Sequence, residues 1–268
     1  MRVSDSEYLQ HEAFEELGRF SRFYEQLADG IFQFASMGTT AICNIDTYVY
    51  TGIAGTLNSI STVLRAGQIN DGYALLRKYY DSTIINVYSN LYLRDHFNTV
   101  KLTAESLIVR QVNDWLHGKA RLPEYRVMSR YIRSSERLAE INGLLYADDF
   151  YKQVRDRCND HAHYNFFANV MLNNSEVYLP HRGRTLDQLM LDLRGIFILH
   201  LAYVFSINDH YMMSGDHLDY LECSELPPED SQYWVAPYVQ DVFDNVLSLH
   251  KPEVADAIRR GSRMQLTY

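Results

Sequence analysis

Cysteine is scarce in this 268-residue chain, and the three present, Cys43, Cys158 and Cys223, are far apart and odd in number. No disulfide framework or CxxC metal pair follows from them, which favours a reducing compartment over secretion. Proline (6) and glycine (13) are also few, so little in the chain interrupts regular structure. Long hydrophobic runs are missing. The most apolar stretch, residues 195–207, contains His200 and is shorter than a bilayer span. The N-terminal residues are too polar for a secretory signal. The expectation is a cytoplasmic protein without a membrane partner. The chain also lacks a P-loop, a GxGxxG and a GxSxG, the fingerprints of common nucleotide-binding and serine-hydrolase folds.

A formal charge of −9 argues at first sight against a nucleic-acid partner. Its distribution removes most of that objection. Residues 214–257 hold ten acidic side chains against Lys251 alone, so the rest of the chain is neutral on balance. The acidic segment offers a surface for a regulatory protein partner or a mask for basic groups elsewhere, with a solvated face as the plain reading.

The chain is rich in helical periodicity. Ser4, Asp5 and Ser6 can cap a first helix reaching about residue 37, with Phe14, Leu17, Phe20 and Leu27 on its apolar stripe. A second helix is expected over 45–65, with Gly52 and Gly55 permitting a close crossing, and a third over 72–95. Breakers at Gly118 and Pro123 shorten the elements between 103 and 142. A long helix over 186–213 is apolar almost all round and so central. Short connections make the neighbours antiparallel. The fold class is therefore all-α, an antiparallel bundle over residues 1–213 with a small acidic helical appendage over 214–268.

Residues 147–174 stand out. They contain no Gly or Pro and could form a seven-turn helix whose apolar stripe is Tyr151, Val154, Cys158, Ala162 and Leu172. Arg155 and His161 fall about 60° to either side of that stripe, and Asn165 and Asn169 fall almost on it. Polar groups there must find partners or line a cleft. An arginine and a histidine near one phosphate can cleave RNA, with the 2′-hydroxyl of the RNA as nucleophile. The histidine moves the proton and the arginine offsets the developing charge. Two pairs are spaced alike, Arg155 with His161 and Arg157 with His163. Each is about 9 Å apart along a straight helix and needs a facing surface to close. The plain alternative is a salt-bridged helix.

Arg126, Arg130, Arg133 and Arg137 share one face if residues 125–138 are helical. With Lys119 and Arg121 they form a basic stripe suited to phosphates, with Tyr125 and Tyr131 able to stack bases. Arg182 and Arg184 could extend it. No metal is expected. His161 and His163 point about 160° apart, and Cys158 with His161 has no further ligand pair at matching spacing. His200 reads as a hydrogen-bonded core histidine.

The segment Arg155-Asp156-Arg157-Cys158-Asn159-Asp160-His161 resembles the R-[polar]-x3–5-H motif of HEPN-superfamily ribonucleases, with Asp156 in the polar slot. The overlapping run from Arg157 to Tyr164 is similar to the R-x-N-D-x-x-H-Y variant of defence-type members. Arg77 and Asp81 resemble an R-x3-[DE] step of the preceding helix. The resemblance implies a helical bundle that acts as a metal-independent endoribonuclease without cofactor. It also implies a homodimer whose motif helices meet, and a role in toxin–antitoxin or anti-phage defence. Arg155 or Arg157 would hold the phosphate and His161 or His163 would move the proton, with Asn159 and Asn165 orienting histidine or RNA. The competing reading is a non-catalytic helical module that binds a nucleotide or a partner protein.

Overall fold

A computed structural model describes residues 1–34, 42–96 and 110–267. The chain is all-α, and among the described residues the only β feature is an isolated bridge between Met213 and Val235. Helix α1 (Ser6–Leu9) is separated from α2 (Ala13–Phe34), where one continuous helix was expected. The break has two local causes. His11 turns its ring to accept the backbone N–H of Ala13, and Tyr8 is buried with its hydroxyl on the Leu64 carbonyl. The expected end near residue 37 lies outside the described residues, as does the start of the 103–142 region.

Helices α2, α3 (Ile45–Arg65) and α4 (Ile69–His96) follow one another as packed neighbours, because each carries a stripe of large apolar residues. Phe14, Leu17, Phe20, Tyr24 and Leu27 meet Ile53, Leu57, Ile60 and Leu64 in one core. The α3–α4 turn is closed by Gln68 N–H on the Val63 carbonyl and Gly67 N–H on Leu64. Gly67 sits there at φ +81°, where a Cβ would also strike Val3. Gly52 and Gly55 mediate no close crossing, since a Cβ on either would meet nothing within 4 Å. Close approaches occur instead at Gly72, against Leu64, and at Gly195, against Phe150.

The next elements are short: α5 (Arg110–Leu116), α6 (Tyr125–Arg133), α7 (Ala139–Leu145), α8 (Phe150–Ala162) and α9 (Phe167–Met171). Helix α10 (Arg182–Ile207) then runs through the centre and ends before a 3-10 turn at Asp209–Met212. It is long and apolar enough to cross a membrane, but 78 % of its most apolar window is buried inside the bundle. After α11 (Asp216–Glu222), helices α12 (Pro237–Val242) and α13 (Pro252–Gly261) frame a π-helical turn at Phe243–Ser248. Val239, Phe243, Val246, Val254 and Ile258 from this part are buried in the same core as α2 and α10.

His200 of α10 is fully buried, and its Nε2–H donates to Asn86 at 2.9 Å while Nδ1 accepts from Tyr24 at 2.7 Å. The Tyr79 hydroxyl in turn meets that of Tyr24, and Asn86 donates to Asp46. The network joins α2, α3, α4 and α10 through satisfied polar groups. Burial lowers the His200 pKa to about 3, so the ring stays neutral.

Candidate functional site

Helix α8 lies between α4 and α10, and its residue pattern sends different polar groups to each. Tyr151, Val154 and Cys158 face inward as the periodicity requires. Burial, with the charge of Asp192 nearby, pushes the Cys158 thiol up to about 12, so it is no nucleophile. Toward α4, Arg155 donates to Asp81 at 2.8 Å, and the other oxygen of Asp81 accepts from Arg77 Nε at 3.0 Å. Arg77 continues to the side-chain oxygen of Asn159. Two guanidiniums thus share one half-exposed carboxylate, which leaves a net positive charge along this edge. Toward α10, Arg157 forms a bidentate pair with Asp192, at 2.8 and 2.5 Å, and Gln188 also donates to Asp192. The opposite charges of this pair cancel, and the completely buried Asp192 carboxylate takes both of the donors that Arg157 turns inward. Burial alone would lower the Arg157 pKa; hydrogen bonding and charge from Asp192 raise it instead.

The histidines part company. His161 is 8 % exposed, stacks on Tyr73 with centroids 3.9 Å apart, and donates from Nδ1 to Asn70 at 2.9 Å. Burial drives its pKa down to about 4, so it is neutral near pH 7. His163 caps the C-terminal end of α8 and is exposed. Its backbone N–H reaches the Asn159 carbonyl, so it stands one turn beyond Asn159, about 40° around and about 6 Å along the helix.

The expected seven-turn helix stops at Ala162. Asn165 N–H reaches the Asp160 carbonyl and Tyr164 N–H the His161 carbonyl, the same pair of bonds that closes α3, with Tyr164 at φ +49° where glycine is usual. Ala162 is consequently exposed rather than on an apolar stripe, and Leu172 is buried from a separate element. The Asn165 side chain donates to Asp160 and orients no histidine; Asn159 holds Arg77 instead. Asn169 is buried and donates to the Asp160 carbonyl. Asn173 accepts the N–H groups of Asn70 and Asp71, capping α4, and donates back to Asp71. Asp156 faces solvent on the outer side of the helix.

The basic stripe is shorter than expected. Helix α6 ends at Arg133, and Arg137 falls in a 3-10 turn at Glu136–Leu138, so it leaves the face shared by Arg126, Arg130 and Arg133. Those three line a cleft with Lys152 and Arg155 of α8. Arg182 does not extend the surface: it is fully buried and clamps the Asn174 carbonyl at 2.6 Å. Among the described residues no group of three His, Cys, Asp or Glu converges in a way that could hold a metal ion.

Asn70, Tyr73 and Asp192 went unnoticed in the sequence. Only Asp192 carried a signal, as an acid among Leu189, Leu191 and Leu193 of α10. Compared with known proteins, the chain matches no family model, no curated protein and no solved structure.

Proposed function

We propose that the chain is a metal-independent endoribonuclease of HEPN type, working as a homodimer in bacterial anti-phage defence or a toxin–antitoxin system. The observation that carries this reading is an exposed His163 one helical turn past Asn159, whose side chain joins a guanidinium edge of Arg77 and Arg155 that shares one carboxylate. His163 takes the proton of the RNA 2′-hydroxyl as that oxygen attacks the adjacent phosphorus. Arg77 offsets charge on the phosphoryl oxygens, with Arg155 supporting it through their common Asp81. The bond from phosphorus to the 5′-oxygen breaks, that oxygen takes a proton from solvent water, and the hydroxide left is neutralised by the proton His163 then releases. The products carry a 2′,3′-cyclic phosphate and a 5′-hydroxyl. Arg157 and His161 have structural duties under this reading, because each is consumed by buried partners.

One helix edge leaves the phosphate open on its far side, so a second copy of the chain would close the site. Exposed Tyr164, Phe166 and Phe167 beside His163 support such a contact, Phe167 being 77 % exposed. They equally favour the competing reading of a non-catalytic adaptor. Incubating the protein with total RNA in EDTA decides between them. Cleavage by the wild type that disappears in His163→Ala supports the nuclease, and a wild type inert under every activating partner supports the adaptor. A solution mass of twice the chain is expected for the dimer.

A further inference from the structure

The cleft between α6 and the first turns of α8 has a volume of about 1050 Å³, the upper end of the range for small-molecule sites. Its wall carries five cations, from Arg126, Arg130, Arg133, Lys152 and Arg155, against the carboxylates of Glu124, Asp148 and Asp149. Asp148 is engaged at 2.9 Å by the Phe150 backbone N–H at the start of α8. Neither Arg126 nor Arg130 has a carboxylate within ion-pair distance among the described residues, so both present free donors to the cleft. Arg155 and Arg133 are arranged differently. The Arg155 guanidinium carbon stands 3.2 Å from the Tyr125 ring centroid, a separation too short for an edge-on approach, so the group lies flat on the ring. The Arg133 guanidinium carbon lies over the Tyr146 ring, 4.6 Å from its centroid. A guanidinium backed by an aromatic ring offers its outer face to another flat ring.

We propose that this cleft is a nucleotide site, in which Arg126 and Arg130 hold the phosphate and the tyrosine-backed planes of Arg133 and Arg155 stack the base. The nucleotide is either free or one unit of a single RNA strand, and the recognition chemistry is the same. The inference goes beyond the cleavage reading and stands without it, because binding is measured in His163→Ala.

The test is calorimetric titration of that variant with adenosine 5′-monophosphate, adenosine, inorganic phosphate and hexameric oligoadenylate. The monophosphate binds more tightly than phosphate or adenosine alone. Adding Arg126→Ala and Arg130→Ala together weakens it by about tenfold or more, since each removes a charge-assisted contact. Both side chains are exposed, so the melting temperature stays that of the parent. Arg133→Lys keeps the charge and loses the plane; it weakens the monophosphate while leaving inorganic phosphate unchanged. Displacement of bound monophosphate by the oligonucleotide assigns the cleft to an RNA path, and failure to displace it assigns a free nucleotide; both uphold the site. No binding, monophosphate binding no tighter than phosphate, or binding indifferent to the double substitution overturns it.

Discussion

His161 and His163 stand two residues apart in opposite surroundings, and burial determines what each can do. Burial, with the positive charge of Arg157 nearby and against the pull of Asp160, holds the His161 pKa at about 4, below the unfolded value near 6.5. As pH falls below 6.5 the unfolded chain takes the proton first. Stability is therefore full above that pH and falls until the native ring protonates near pH 4. The drop from this residue is on the order of 3 kcal/mol. Urea unfolding at pH 7 and pH 5 should show a smaller pH-dependent loss in His161→Gln than in the wild type. An equal loss in both would place the titration elsewhere. Arg157 makes a second residue-scale prediction. Removing it leaves the fully buried Asp192 carboxylate with only Gln188, and Arg157→Ala should cost about 3 kcal/mol in the same unfolding assay. Arg157→Ala with Asp192→Asn should recover part of that loss. Additive losses would mean that the two do not act as a pair.

At the scale of elements, two helix ends use one hydrogen-bond pattern with different residues. Gly67 ends α3 at φ +81° and Tyr164 ends α8 at φ +49°. The glycine made the first turn legible in the sequence. The tyrosine concealed the second, which is why residues 147–174 read as one helix. A side chain in the left-handed region costs about 1–2 kcal/mol. Tyr164→Gly, after its own loss of backbone entropy, should therefore stabilise the fold by about 0.5–1 kcal/mol. Gly67→Ala should destabilise it, since its Cβ would fall 2.5 Å from Val3. Urea midpoints check both, and a lower midpoint for Tyr164→Gly would mean that the ring contributes more than its backbone costs. The strain at Tyr164 sits next to His163, and it turns the chain so that Asn169 and Asn173 can brace Asp160 and α4.

Across the whole molecule, the stripes of α2, α3 and α10 gave the all-α architecture, because burying large apolar residues at helical spacing leaves few alternatives. His200 was readable for the same reason, as a lone polar group in an apolar run. The site was readable only in part. Arg155, Asn159 and His163 share a face by spacing alone, whereas the links from Arg77 to Asn159 and from His161 to Asn70 depend on how α4 packs against α8. No periodicity within one segment encodes that contact. The acidic segment behaves likewise: its charge is visible in the sequence, but the burial of Val239, Phe243 and Ile258 against the central helices appears only in three dimensions.

The central claim is that the exposed histidine, rather than the buried one, moves the proton in RNA cleavage. Its most direct measurement is the cleavage rate of single-stranded RNA in EDTA for wild type, His163→Ala and His161→Gln, with the end groups of the products identified. The account predicts 2′,3′-cyclic phosphate and 5′-hydroxyl ends. It also predicts that His163→Ala loses about 100-fold or more while His161→Gln keeps most of the activity at temperatures where it is folded. Unchanged cleavage in His163→Ala, or a loss confined to folded His161→Gln, would contradict it.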